Sequence, residues 1–297
     1  MKVSMKKISI YLITLFALWF VACSEDKKIG EIDSLTPDYD MQEGESEVDD
    51  RILEMYKQYG TYILYDYARL DFYYGLSTDY IYKCPKQEYV EDMLDLVQKI
   101  WLDFFPTEFH QKYLPYKLFF SEKLEVENWD GTMLEYYVCE GDKSFALGYC
   151  SDVLREMTPA DKLKYKNMLH YQLWKSWYKN RLEFPEKFFE LSDYTKAAVS
   201  NDVDSPDYTR TRGFVAKRLL EYDIETEWCL YTNWQTGLLD KNDDLNSFLI
   251  MLVTRTKADW EADLQYELVK KKYDILRDWF QEKYNFDITK IGDATYE

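Results

Sequence analysis

Thr158-Pro159-Ala160-Asp161-Lys162-Leu163-Lys164-Tyr165-Lys166-Asn167-Met168-Leu169-His170-Tyr171-Gln172-Leu173-Trp174-Lys175-Ser176-Trp177-Tyr178 is the stretch on which the fold turns. It opens with a capping residue, carries proline at the first helical position and an acid in the first turn, and so predicts a helix to about Tyr178. At helical spacing Asn167, His170, Tyr171, Trp174 and Tyr178 share one side. A lone histidine on such an apolar side is ordinarily packed and hydrogen-bonded in a core. From Thr158 onward nearly everything reads as helix, with further helices expected over 208–222, 225–237, 243–255 and 257–283.

Upstream the pattern is mixed. Asp49 or Asp50 can cap a short helix through Tyr59, which Gly60 stops, and Thr61–Tyr67 reads as a strand. Val90, Met93, Leu94, Val97, Ile100, Trp101 and Phe104 recur at helical spacing within Glu88–Phe105. Lys117–Ser121 reads as a strand, and Met133–Val138 with Ser144–Tyr149 as a hairpin around Glu140-Gly141-Asp142-Lys143. No internal repeat is present. The expected class is α+β: a small mixed sheet packed on helices, then a mainly helical C-terminal half, in one domain over 48–297.

The first residues carry an export signal. Lys2, Lys6 and Lys7 precede an apolar run from Ile8 to Val21, about fourteen residues, which suits a signal-peptide core and falls short of a bilayer span. The run ends in Phe20-Val21-Ala22-Cys23, which resembles the lipobox of bacterial lipoproteins, with Phe20 where leucine is usual. The resemblance implies a signal peptide over 1–22, a lipid on Cys23 and a membrane anchor. Ser24-Glu25-Asp26 resembles the acidic tag that sends some Gram-negative lipoproteins to the outer face of the outer membrane. Residues 23–47 then read as the lipidated cysteine and a flexible acidic tether.

Without Lys2, Lys6 and Lys7, 34 basic side chains face 55 acidic ones, a net charge of −21. Such a body cannot bind nucleic acid by displacing counterions and is repelled by anionic membrane, so the lipid must hold it. Aromatic residues make up 18% of the chain, led by 28 tyrosines, and core packing accounts for most of them. Beyond Cys23 there remain Cys84, Cys139, Cys150 and Cys229. In the expected hairpin Cys139 faces residue 144 and Cys150 faces residue 133, outside bonding reach, so free buried thiols are expected. There is no paired CxxC for structural zinc.

Two histidines, His110 and His170, exclude sites built from three imidazoles, and no Gly-rich phosphate loop, GxSxG elbow or HExxH motif is present. Asp240-Lys241-Asn242-Asp243-Asp244 suggests a calcium loop, but Leu245 stands where that loop needs glycine and Met251 where it needs glutamate. A solvated turn is the better reading.

Four segments, in order and spacing, resemble a family of Gram-negative lipoproteins, the substrate-import-associated zinc metallohydrolases. They are Tyr59-Gly60-Thr61 through Tyr67; the 88–105 helix with Trp101-Leu102-Asp103; Met168-Leu169-His170-Tyr171-Gln172-Leu173-Trp174; and Gly213-Phe214-Val215 followed by Glu225. The likeness covers roughly residues 50–290. It implies a zincin-like fold and a place beside TonB-dependent importers and their surface lipoprotein partners. In the family the third segment is HExxH, two zinc-binding histidines with a general-base glutamate between them. Here the first histidine is His170, the base falls on Tyr171 and the second histidine on Trp174, while a downstream acid matches Glu225. A phenol is a poor base at neutral pH and indole is no ligand. His170 and Glu225 leave zinc short of its usual three protein ligands.

The resemblance therefore implies a degenerate member with no zinc or other cofactor and no catalytic residue. Its vestigial cleft, marked by His170, Tyr171, Trp174 and Glu225, would hold a peptide or a glycan or dock against an importer. The alternatives are an active zinc hydrolase with other ligands, such as a site around His110 and nearby acids, and a carbohydrate-binding lipoprotein.

Overall fold

A computed structural model of the chain describes residues 39, 43–77, 79–196, 200–221, 224–228 and 235–297, with backbone only at 221 and 224–228. The signal peptide, Cys23, the tether through residue 42 apart from Tyr39, and Cys229 lie outside the described residues. So does the side chain of Glu225. Residues Glu43–Glu297 cluster as one unit. None of the described helices is long and apolar enough to cross a membrane.

Helix α1, Glu47–Tyr59, is capped by Ser46, whose hydroxyl accepts from the Asp49 amide, rather than by Asp49 or Asp50. Gly60 ends it at φ 77°, the left-handed conformation that glycine adopts without a Cβ penalty. Strand β1 (Tyr62–Leu64), α2 (Arg69–Gly75), β2 (Tyr80–Lys83), α3 (Val90–Ile100), α4 (Thr107–Tyr113) and strands β3 to β7 follow. These last are Lys117–Phe120, Lys123–Glu127, Met133–Glu135, Val138–Glu140 and Ser144–Leu147. Two sheets result: a four-stranded one in the order β1-β3-β7-β6 and a three-stranded antiparallel one in the order β2-β4-β5. In the first, β1, β3 and β7 are parallel and β6 runs antiparallel on the outside. The expected 133–149 hairpin is thus divided between two sheets, because Tyr136 donates its amide to Leu124 before the chain crosses over. The register sets Cys139 opposite Ala146 rather than residue 144, and Cys84, Cys139 and Cys150 are free thiols.

Partners across a register share a face, which fixes what each side of the larger sheet packs against. Phe119, Ala146 and Cys139 lie on one face, where Tyr67 and Phe72 meet the Phe119 ring. Phe145 and Glu140 lie on the other, where Trp101 and Trp177 meet Phe145. That second face is covered by α3 and by the helix begun at Thr158, and it holds the main core. Val90, Met93, Leu94, Val97 and Ile100 of α3 are wholly buried.

Past a short α5 (Val153–Glu156), helix α6 spans Pro159–Gln172. Thr158 and Asp161 form a reciprocal capping box at its start, worth about 1 kcal/mol. A π-helical turn, Leu173–Trp177, carries the rod to Tyr178, as the sequence predicts in length though not in winding. Next come α7 (Glu186–Phe189), the hairpin β8 (Lys217–Glu221) with β9 (Ile224–Trp228), α8 (Lys241–Thr254), α9 (Lys257–Trp260), α10 (Glu267–Tyr284) and α11 (Thr289–Gly292). Where helices are expected over 208–222 and 225–237, the structure has turns over 208–213 and this hairpin, while 222 and 229–234 lie outside the described residues. The one expected over 257–283 is broken into α9 and α10, where Arg210 and Arg255 both grip Asp263 between them. Asp240, from the calcium-loop candidate, caps α8 by accepting from the amides of Asn242 and Asp243.

The class is α+β, with a helical C-terminal half interrupted by one hairpin. That half is pinned by a buried ion pair. Lys272 Nζ lies 2.6 Å from Asp244 Oδ2, both side chains fully buried, and the Tyr194 hydroxyl donates to the same carboxylate oxygen. The rings of Phe188, Phe214 and Phe248 stand within 5.5 Å of the ammonium, replacing part of its lost hydration.

Candidate functional site

Beside the outer edge of β6 lies a cleft of about 280 Å³ lined by tyrosines. Gly148 donates its amide to Tyr137 O and Gly141 donates to Ser144 O, so the bonded positions along this strand are 137, 139 and 141. The N–H and C=O groups of Val138 and Glu140 therefore point away from β7, toward the side where no strand pairs among the described residues. Cys139, from one face of the sheet, and Val138 and Glu140, from the other, all line the cleft. Only a groove running along the strand edge can touch both faces.

Its two walls come from different halves of the chain. On the Cys139 side stand Tyr80 of β2 and Tyr136, whose rings meet edge to face at 5.5 Å. On the Glu140 side stand Met168, Tyr171 and Gln172 of α6, Lys175 of the π turn, and Leu220 of β8. Tyr137 closes the end where the chain passes from β5 to β6. The Glu140 carboxylate accepts from Gln172 Nε2 at 2.9 Å and from the Ser176 hydroxyl, which sets its orientation. Lys175 Nζ lies 5.2 Å from the centre of the Tyr171 ring.

Of the residues that the resemblance groups, the structure turns Tyr171 one way and His170 and Trp174 another. Tyr171 lines the cleft and packs with Leu220, Ile250 and Met168. His170 and Trp174, one helical step away, point into the core instead. His170 Nε2 lies 2.8 Å from Ile100 O. A carbonyl only accepts, so Nε2 carries the proton and donates, leaving the lone pair on Nδ1, which has no hydrogen-bond partner. Around it stand Phe104 at 5.5 Å and Phe105 at 6.2 Å between ring centres. Burial, then the charge of Lys166, pushes its pKa down to about 3. Trp174 packs against Phe280 at 5.2 Å and Tyr178 at 4.9 Å, its indole nitrogen without a partner. Glu225 is opposite Leu220 in the β8–β9 ladder, and its side chain is outside the description.

These residues do not fit zinc. His170 has spent one nitrogen on a carbonyl and keeps the other among aromatic rings. Nor do three His, Cys, Asp or Glu side chains gather anywhere among the described residues. His110 is no better placed. It is buried with Nε2 donating to Leu102 O at 2.9 Å, and burial lowers its pKa. Sequence reasoning passed over Tyr80, Tyr136, Tyr137, Glu140, Gln172 and Lys175, which no motif connects and which only the topology brings together.

No family model matches the chain, and no curated protein matches it. Among solved structures it is similar to a Bacteroides caccae protein provisionally named a zinc-binding metallo-peptidase, at 12% identity and a TM-score of 0.47, over 86% of this chain and 92% of that one.

Proposed function

We propose that this chain is a surface-exposed outer-membrane lipoprotein that holds an extended peptide without cleaving it, as an accessory component of a TonB-dependent uptake system. The observation that carries the binding role is the tyrosine-lined cleft along the outer edge of β6, which pairs with no strand among the described residues. A peptide laid there forms main-chain hydrogen bonds with Val138 and Glu140 at a strand spacing of about 4.8 Å, and its side chains alternate between the two walls. Non-catalysis is supported by the sealed environment of His170 and by the absence of a base at Tyr171. The lipid anchor and the uptake setting are supported by the amino-terminal signal and by the four resembling segments.

Hydrogen exchange on the full chain, with and without fluorescein-labelled decapeptides, tests the binding site: the amides of Val138 and Glu140 should gain protection. Protection confined to other segments would place binding elsewhere. Metal analysis tests the lack of catalysis, because a stoichiometric zinc ion lost in His170→Ala would restore the hydrolase reading. Partition of wild type, but not Cys23→Ser, into detergent tests the anchor.

A carbohydrate ligand is a second reading, favoured by Tyr80, Tyr136, Tyr137 and Tyr171 in one cleft, since tyrosine rings stack on sugar faces and keep a hydroxyl for hydrogen bonding.

A further inference from the structure

Among the described residues that line the cleft, Glu140 alone carries a carboxylate. Both of its donors, Gln172 Nε2 and the Ser176 hydroxyl, reach the same oxygen, Oε2. Oε1 receives no hydrogen bond, and the group forms no ion pair, among the described residues. Two neutral donors fix where a carboxylate points but leave its charge whole. Glu140 is thus a half-buried anion, held in one orientation at the rim of β6, without a counter-charge.

The cations nearest at hand are engaged elsewhere. Arg181 lies in the field of Glu140, but its guanidinium donates to Trp177 O and Asp142 O and sits 3.3 Å from the centre of the Trp177 ring. Lys175, on the same wall, has its ammonium 5.2 Å from the centre of the Tyr171 ring and holds a further interaction within the chain. The chain as a whole carries a net charge of −18, so its field draws cations toward it.

From this arrangement we infer that the peptide held along β6 carries a lysine or arginine opposite Glu140; the inference rests on the peptide reading of the cleft. In antiparallel pairing the ligand residue opposite Glu140 exchanges both main-chain hydrogen bonds with it. Its side chain then projects to the same face of the sheet, with the two Cβ atoms about 5 Å apart. A basic side chain at that position need only turn its charge toward Oε1. Because Oε2 is taken, the two-pronged grip of an arginine has no advantage over the single charge of a lysine. The adjoining positions ask for something else. The ligand residue opposite Cys139 meets Tyr80 and Tyr136, and the one opposite Val138 meets Met168 and Tyr171, so both accept apolar side chains. The preferred ligand is an extended, largely apolar segment with one positive charge.

The test uses the full chain and three fluorescein-labelled peptides, Ser-Val-Thr-Val-X-Val-Thr-Val-Ser, which read the same from either end. X is lysine, glutamine or glutamate, and binding is read by fluorescence anisotropy. Salt is kept near 0.15 M, where charges more than about 8 Å away are largely screened. The lysine peptide should bind about fivefold tighter than the glutamine one, as one oriented, half-buried ion pair gives, and the glutamate peptide weakest. Glu140→Gln, which keeps an acceptor for Gln172 and Ser176, should remove most of that preference. Glu140→Lys should reverse it, placing the glutamate peptide first, an outcome that loss of folding cannot produce. Equal binding of the three peptides to the wild type, or a lysine preference that survives Glu140→Lys, overturns the inference, and protection of the Val138 and Glu140 amides would still uphold the peptide site. If none of the three binds and no amide of β6 gains protection, the peptide reading falls and the inference falls with it.

Discussion

Replacing His170 with glutamine tests the central geometry through pH. Folded His170 is neutral, held down to a pKa of about 3 by burial and by the neighbouring charge of Lys166, against 6.5 for an ordinary histidine. Between those values the unfolded chain takes up a proton that the folded chain refuses. Stability is therefore fully present above pH 6.5 and is lost as pH falls. At 1.36 kcal/mol per pH unit, the part due to His170 is about 3 kcal/mol by pH 4.5. Glutamine keeps a donor for Ile100 O and does not titrate. Urea unfolding of wild type and His170→Gln at pH 7 and pH 4.5 isolates this contribution, because carboxylates titrate alike in both and cancel in the difference. Wild type should lose about 3 kcal/mol more than the variant between the two conditions. Equal losses would show that the imidazole is free to take up a proton in the folded state, as it would be in a wet cleft, and would refute its placement in the core.

The remaining predictions concern the scaffold. Trp174→Ala should cost about 3–5 kcal/mol in denaturant unfolding, since it empties a fully buried site beside Phe280; a loss under 1 kcal/mol would place the indole at the surface. Lys272→Met strands the buried Asp244 carboxylate and should cost about 3–5 kcal/mol, while the double variant with Asp244→Leu should recover most of that. A double variant no more stable than the single one would mean that the aromatic surroundings, not the lost charge partner, set the cost. Gly60→Ala should raise no clash but should cost about 1–2 kcal/mol for a side chain held at φ 77°, measured as a lowered melting temperature.

Much of the fold was legible because its signals are local. The Thr158-Pro159-Ala160-Asp161 cap, the apolar spacing of Val90 to Ile100 and Gly60 after Tyr59 each declare themselves within a few residues. The β8–β9 hairpin is not legible in this way, although Ile224, Thr226 and Trp228, all strand-forming, alternate with Glu225 and Glu227. Helix-forming Leu219, Leu220, Glu221 and Glu225 pulled the reading toward helix, and cross-strand pairing overrides so weak a preference. The site was less legible still. Helical spacing groups His170, Tyr171 and Trp174 on one broad side of the helix, whereas the structure buries His170 and Trp174 in the core and gives Tyr171 to the cleft. Spacing does not say which side meets solvent, because apolar residues surround the rod. Tyr80, Tyr136 and Tyr171 come together only once two sheets and a helix are assembled, and no spacing in the chain encodes that meeting.

The passage of the chain from β5 into β6 has a mechanical consequence. Only Tyr136 and Tyr137 separate Glu135 in one sheet from Val138 in the other, a covalent span of at most about 11 Å. Those two strands cannot part further without breaking register, whatever enters between the walls. A strap of that length ties Tyr136, and Tyr80 whose ring rests against it, to the edge of β6, so that this side of the cleft cannot draw away from the strand.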